Sequence, residues 1–181
     1  MSTPIQIPAV PIATRKRLIQ VTLITWLAVV GYDLLMNAGL MAPFNNWQLP
    51  GFLSPVKMFQ YIPLGYAAFL LYVILLLWLM LRSQVSGARA GTAFGLTFGI
   101  LVGGAGFLGQ MSIFAFPVRM LFCWAVFYAL LFTLAGAVIG SGLAAARLRP
   151  LVYRVLVLVM ICLVVSIVMQ NLGLVPAARL H

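Results

Sequence analysis

The chain has 181 residues, of which 65% are hydrophobic and 7% are charged, and its mean hydropathy is +1.17. Soluble domains contain about 45–50% apolar and about 25% charged residues. Long stretches of this chain lack the polar face that a helix needs in water, so the surrounding solvent has to be apolar. The composition therefore predicts an all-α, polytopic integral membrane protein and excludes a water-soluble domain.

The formal charge of +10 arises from eleven Lys and Arg residues against a single acid. In a soluble protein such an excess would suggest nucleic-acid binding. Here the basic residues lie at the ends of apolar runs, where they meet lipid headgroups, and they do not alternate with stacking aromatic residues. We therefore expect no nucleic-acid partner, but membrane lipids together with other membrane-protein subunits or a second copy of the chain.

Cysteine and histidine are too few and too scattered for a metal or cofactor site. Cys123 and Cys162 lie at different depths of predicted spans, so we expect no disulfide, and a buried free Cys behaves as a small hydrophobe. The single His, His181, cannot form a cluster for zinc, haem or iron–sulfur. The sequence predicts no metal site and no cofactor.

The first predicted span follows an uncharged cytoplasmic tail, residues 1–14. The basic residues 15–17 precede an apolar run over about 18–40, interrupted by Asp33 and Asn37. At about 1.5 Å per residue this run crosses a hydrocarbon layer of about 30 Å. A cleaved signal peptide also begins with basic residues, but its apolar core is shorter. The length and the acid favour a retained helix.

The rest of the chain predicts four more spans within a single transmembrane bundle, 15–173. Residues 41–57 are rich in proline, amide and aromatic side chains, which predicts an outer loop at the membrane interface, with a re-entrant dip left open. The remaining helices are expected over about 58–81, 88–113, 118–145 and 151–171, followed by an outer tail, 174–181. Pro55, with Ser54 as its cap, is an alternative start of the second helix, since proline suits the first helical position.

The basic residues also predict the orientation. With the N-terminus inside, three lie outside, Lys57, Arg119 and Arg179, and eight lie in the cytoplasm: Arg15, Lys16, Arg17, Arg82, Arg89, Arg147, Arg149 and Arg154. The positive-inside rule therefore predicts an inner N-terminus and an outer C-terminus. This pattern and the compact chain favour the bacterial inner membrane.

Glycines recur every four residues along the third predicted helix, at Gly87, Gly91, Gly95, Gly99 and Gly103, and the fourth helix carries Gly136 and Gly140. In lipid, small residues at this spacing let two helix backbones approach closely. The pattern predicts that the third and fourth helices pack together. A flexible helix in a moving gate is the alternative, since glycine lowers helix propensity.

Asp33 is the only acidic residue and lies within a predicted span. A carboxylate at the bilayer centre costs at least about 2.5–3.5 kcal/mol, so it needs a partner that donates a hydrogen bond or carries a positive charge. Asn37 follows one turn later on the same face, and Lys57, Gln110 and Arg119 fall in the same outer half. These five residues are candidates for one polar cluster, with Lys57 or Arg119 as the charge partner. The cluster is interpreted either as a fixed ion pair or as a proton or cation relay.

The loop before the second helix resembles the tryptophan- and proline-rich segment of the translocator (tryptophan-rich sensory) family, which also has five helices, at Trp47, Pro50, Phe52, Pro55, Val56 and Tyr61. Lys57 stands where that family has an aromatic residue, and the fifth helix lacks its paired Leu-Asn motif. The ligand-binding function of the family is therefore not assigned to this chain.

Catalysis is not expected, because a nucleophile needs a base within hydrogen-bond reach and one acid without an internal His builds few such sites. The first hypothesis is a small accessory or structural membrane subunit that packs with itself or with a larger complex. The second is a small transporter or lipid- or hydrophobic-ligand-binding protein with an outer-leaflet polar cavity around Asp33.

Overall fold

The structure is a computed structural model that describes residues 14–40 and 52–173. Within these ranges it contains five α-helices, each long and apolar enough to cross a membrane, and no strand. The helices are α1 (Arg15–Leu35), α2 (Pro55–Arg82), α3 (Ala88–Ile113), α4 (Val118–Ala144) and α5 (Arg149–Asn171). The prediction of an all-helical bundle with five spans is confirmed, and the chain is a multi-pass membrane protein.

Helix α2 begins at Pro55, which is the alternative start and lies three residues before the first residue of the 58–81 prediction. Ser54 Oγ accepts a hydrogen bond from the backbone N–H of Lys57 at 3.4 Å, and Pro55 occupies the first helical position, where no N–H is needed. Residues 55–57 therefore belong to a helix, and the predicted loop ends earlier than expected. The part of that loop at 41–51, including its suggested re-entrant dip, lies outside the described residues.

Helices α1 and α5 also begin earlier than predicted, at Arg15 and Arg149. Arg and Lys are good helix formers, so the basic residues that flank each apolar run extend the helix beyond the hydrocarbon layer. Thr14 is the N-cap of α1. The remaining residues of the two predicted tails, 1–13 and 174–181, lie outside the described part of the chain.

Helices α3 and α4 form the most extensive pair, and α1 packs mainly on α5 and α4. The turn between α2 and α3 is fixed to α4 by a backbone hydrogen bond, in which the N–H of Gly87 donates to the carbonyl of Gly140 at 2.8 Å. Gly87 has a φ of 90°, a conformation that favours glycine. The turn therefore places the start of α3 against the end of α4.

The core lies around α4, the helix with the largest buried share. Its residues Leu131, Phe132 and Ile139 are fully buried and pack in one cluster with Leu76 and Met80 of α2. Only the second half of α2 joins this cluster. The first half of α2 passes beside α1 instead, and a groove opens between them at the level of Asp33.

Candidate functional site

Asp33 and Asn37 form the polar centre of this groove. Asp33 is 9% exposed, and Asn37 Nδ2 donates a hydrogen bond to its Oδ1 at 2.6 Å. The two residues are one helical turn apart, so the contact is local to α1 and its extension. The hydrogen bond from Asn37 occupies one lone pair of the carboxyl group, and a carboxyl group has the capacity to accept several more.

Helix α1 continues into a π-helical segment, Met36–Leu40, which carries Asn37. Single π-helical turns inside α-helices occur frequently at functional sites. Ser166 of α5 contacts α1 just before this segment. Its Oγ lies 3.4 Å from the carbonyl oxygen of Leu34 and 2.8 Å from that of Cys162. The segment is thus braced by α5 on one side, while Asp33 and Asn37 face the groove on the other.

The groove has a volume of about 390 Å³. It is lined by α1 and its π-helical extension on one side and by α2 on the other, through Asp33, Leu34, Asn37, Ile62, Gly65, Tyr66 and Phe69. Apart from the acid and the amide, most of this lining is apolar. A Cβ atom added at Gly65 would meet no atom within 4 Å, so the absence of a side chain there leaves open space in the wall.

One hydrogen bond ties the two walls together. Trp26 Nε1 of α1 donates to the backbone carbonyl of Tyr66 of α2 at 2.8 Å. Tyr66 itself lines the groove, so this bond sets the separation of α1 and α2 where the groove begins. The helix pair beside the groove is thus held by a partly buried polar contact as well as by apolar packing.

Three residues predicted to join Asp33 do not line the groove. Lys57 and Arg119 are exposed in the first turns of α2 and α4, and Gln110 lies near the end of α3. A long basic side chain at a helix end reaches toward water or the headgroups rather than into the bundle. The structure therefore brings Asp33 together with Asn37, and none of Lys57, Gln110 and Arg119 is among the residues that line this groove; that the five share one polar cluster stays a prediction.

Gln110 has an unusual environment of its own. Its Oε1 atom is buried and has no hydrogen-bond partner among the described residues. A buried acceptor without a partner costs free energy. The side chain is nevertheless separate from the groove, since α3 contributes no residue to the lining.

The α3 glycines face the backbone of α4. A Cβ at Gly99 would lie 2.8 Å from Ala129 Cα, and one at Gly103 would lie 2.6 Å from the Ala125 carbonyl oxygen. Added Cβ atoms at Gly91 and Gly95 would meet the carbonyl oxygens of Gly136 and Phe132. Added Cβ atoms at Gly136 and Gly140 would in turn meet the carbonyl oxygens of Gly91 and Gly87. The two helices therefore approach at backbone distance.

Two features were not predicted from the sequence: the wall of the groove formed by α2, and the alanines of α4 that contact α3. Gly65 was the available signal for the wall, because it is the one glycine of the second predicted helix. Ala125 and Ala129 are four residues apart, the spacing of small residues at helix contacts, and they extend the surface formed by Gly136 and Gly140.

The groove supplies one carboxyl group, one amide and an apolar wall. These groups accept a hydrogen bond or a positive charge from a bound partner, and the amide also donates. In residues 14–40 and 52–173, no group of three or more His, Cys, Asp or Glu side chains is arranged to hold a metal ion.

No family model, curated protein or solved structure matches this chain. Function is therefore inferred from the groove and from the helix surfaces beside it.

Proposed function

We propose that the chain is a small accessory or structural subunit of a membrane-protein complex, and that the first half of α2 and the adjoining groove are its docking face. The supporting observation is the exposure of α2. From Val56 to Gly65 every position is exposed except Met58, which is half-buried. A helix segment exposed all round contributes little packing to its own bundle and leaves its surface to lipid or to another helix.

Asp33 specifies the chemistry of the proposed partner. Polar side chains hold transmembrane helices together, and an acid at membrane depth is stabilised by a partner that donates a hydrogen bond or carries a positive charge. Among the described residues, Asn37 supplies a hydrogen bond to Asp33 but no charge. The proposed occupant is therefore a transmembrane helix of another protein that presents a Lys, Arg or amide side chain at the depth of Asp33.

The α3–α4 pair serves as the scaffold in this proposal. The backbones of α3 and α4 are in contact at four successive glycines of the α3 repeat. Backbone atoms cannot rotate out of the way as side chains do, so one helix cannot simply slide along the other. The α2 docking face is attached to this pair through the core around Leu76 and Phe132. Glycine packing of this kind supports a structural role.

We further propose an inner N-terminus, an outer C-terminus and a location in the bacterial inner membrane. Eight basic residues belong to the end of the bundle where α1, α3 and α5 begin, whereas Lys57 and Arg119 belong to the other end. Basic residues are enriched on the cytoplasmic side of membrane proteins. Labelling of single cysteines introduced at Arg15 and Lys57 in intact cells tests this orientation, and accessibility at Arg15 alone from outside would contradict it.

The docking proposal is tested by filling the groove. We expect Gly65→Leu to fold normally, because the Cβ position is open, but to block the partner helix. Gly106→Leu is the matched control, since Gly106 also has open space around it but lies on α3, away from the groove. Both variants and the natural chain are purified from native membranes in mild detergent, and the co-purifying proteins are quantified.

A stoichiometric partner that is lost with Gly65→Leu and kept with Gly106→Leu supports the proposal. A partner kept equally by both variants contradicts the groove as the docking face. A second copy of this chain as the only partner contradicts a separate subunit. A chain that purifies alone with a bound lipid or amphiphile contradicts the subunit proposal and favours the second candidate.

The second candidate is a carrier or binding protein for a lipid or another hydrophobic molecule with a polar end. It is favoured by the size of the groove, because about 390 Å³ falls within the roughly 300–1,000 Å³ of small-molecule sites. Dodecylamine and dodecanol are suitable probes, since they differ only in the polar end. This function predicts that dodecylamine raises the Tm of the natural chain and that Asp33→Asn removes the effect. An equal Tm with and without dodecylamine would contradict it.

A further inference from the structure

A second cleft, of about 620 Å³, lies at the opposite end of α1. The start of α1 and the connection between α4 and α5 line it, through Thr14, Lys16, Arg17, Gln20, Ala146, Arg147, Leu148 and Arg149. Neither Asp33 nor any other residue that lines the α1–α2 groove contributes to it. The cleft is therefore distinct from the proposed docking face and is independent of the function proposed above.

Four of the cleft residues are basic, and the only acidic side chain of the sequence is too far away to neutralise them. Asp33 lies sixteen residues along α1 from Arg17, which corresponds to about 24 Å at 1.5 Å per residue. Lys16, Arg147 and Arg149 are exposed and carry like charges that repel each other. An anion in the cleft would remove this repulsion.

Arg17 shows that the cleft is organised. Its Nη2 atom donates to the carbonyl oxygens of Gly142, at 2.8 Å, and of Ala145, so the guanidinium group is held against the end of α4. Its Nε atom is buried and has no hydrogen-bond partner in the described part of the chain. The guanidinium group is thus fixed by α4 at the wall of the cleft, where it contributes its positive charge.

The start of α5 adds backbone donors to the same cleft. Leu148 is the N-cap residue and makes no side-chain cap hydrogen bond, and Arg149 begins the helix. The first N–H groups of a helix lack intrahelical partners and favour anions; in α5 Pro150 carries no N–H, so Arg149 provides the first of these donors. The start of α5, the Arg17 guanidinium group and three exposed basic side chains therefore border one space.

We propose that this cleft binds the phosphate group of an anionic phospholipid. A phosphate offers several acceptor oxygens and the negative charge that the cleft lacks, and Arg binds phosphate by paired hydrogen bonds. A lipid rather than an inorganic phosphate is specified by the surface next to the cleft. On α1, Lys16 and Gln20 are followed at helical spacing by Leu23 and Leu27, which are 51% and 36% exposed and provide an apolar path for an acyl chain.

The test compares phosphatidylglycerol with phosphatidylcholine of identical acyl chains. The full-length protein in detergent is titrated with each lipid, and the bound lipid is counted by native mass spectrometry. We expect a clear preference for phosphatidylglycerol. Attraction of an anionic surface for one basic side chain corresponds to about fivefold in affinity, so Arg147→Gln with Arg149→Gln should reduce the preference by about 25-fold.

Two further variants separate charge from folding. Arg82→Gln with Arg89→Gln removes two charges at the same end of the bundle but outside the cleft, and it should keep the preference. Arg147→Lys with Arg149→Lys keeps the charge and should stay within a few-fold of the natural chain. If the Lys pair loses the preference as fully as the Gln pair, charge in the cleft is not the cause and the proposal is wrong.

Equal affinity for the two lipids would overturn the proposal, as would an unchanged preference after the Arg147 and Arg149 substitutions to Gln. Inorganic phosphate, compared with chloride at equal ionic strength, distinguishes the two sources of phosphate. If it raises the Tm of lipid-free protein as much as phosphatidylglycerol does, the ligand is a dissolved anion and not a lipid. A rise with phosphatidylglycerol alone supports the lipid site.

Discussion

Gly99 lies on the surface of α3 that contacts α4, and replacing it with alanine tests the close approach of the two helices. The new Cβ atom would lie 2.8 Å from Ala129 Cα, 2.9 Å from the Ala129 carbonyl oxygen and 3.0 Å from Phe132 Cβ. Ordinary contacts between carbon atoms are about 3.5–4.0 Å. Two of the three neighbours are backbone atoms, which cannot rotate away, so the helices have to separate locally by several tenths of an ångström or more.

The loss of stability caused by Gly99→Ala is obtained by comparing it with the same substitution at a second glycine of α3, Gly104. Inserting a methyl group into a packed interior costs about 1–3 kcal/mol, and alanine returns up to about 1 kcal/mol in helix propensity. Gly104→Ala receives the same propensity gain, but its Cβ would meet nothing within 4 Å. The difference in the free energy of unfolding between the two variants should therefore be about 1–3 kcal/mol, with Gly99→Ala the less stable.

Reversible unfolding in mixed micelles with increasing dodecyl sulfate, followed by circular dichroism, measures this difference. Equal unfolding free energies for Gly99→Ala and Gly104→Ala would refute the close approach of α3 and α4. A difference of the opposite sign would refute it as well. The paired design removes the effect of glycine on helix formation, which changes both variants alike.

The same titration tests three further contacts. Trp26→Phe keeps a ring but removes the donor to the Tyr66 carbonyl, so it should cost about 0.5–1.5 kcal/mol, and no loss would contradict that hydrogen bond. Arg17→Gln should lower the free energy of unfolding by about 1–2 kcal/mol, since the charged donor to the carbonyls of the last turn of α4 is lost. Amide exchange in that turn should accelerate, and unchanged exchange would contradict the contact. Gly31→Ala should cost less than Gly99→Ala, because the nearest backbone atom to its new Cβ is Val159 Cα at 3.2 Å, whereas the Cβ at Gly99 would lie 2.8 Å from Ala129 Cα. A larger loss for Gly31→Ala would count against this packing.

The spans were predictable because an apolar run long enough to cross a bilayer has few alternatives to a helix. Their ends were less so. The basic residues at the starts of α1 and α5 extend these helices beyond the apolar runs, and hydropathy does not register such turns. The start of α2 at Pro55 is indicated instead by its Ser54 cap and by the proline. The π-helical segment Met36–Leu40 was not predicted either, since its composition does not distinguish it from the α-helix before it.

The candidate site was predictable only where it is local. Asp33 and Asn37 are one turn apart, so helical geometry alone places them together. Lys57, Gln110 and Arg119 were grouped with them by depth in the membrane, but depth does not fix the direction in which a helix presents a residue. The α2 wall at Gly65 and Tyr66 depends on how α1 and α2 pack, which a single sequence does not specify.

The unequal ends of the bundle affect how the chain enters a membrane that carries an electrical potential. Among the described residues, eight basic side chains belong to one end and two to the other, an excess of six. Moving one elementary charge across 100 mV corresponds to about 2.3 kcal/mol, so the two orientations differ by more than about 10 kcal/mol in such a field. A negative interior would therefore oppose translocation of the basic end at every step of insertion, and it would make a chain once inserted slow to invert.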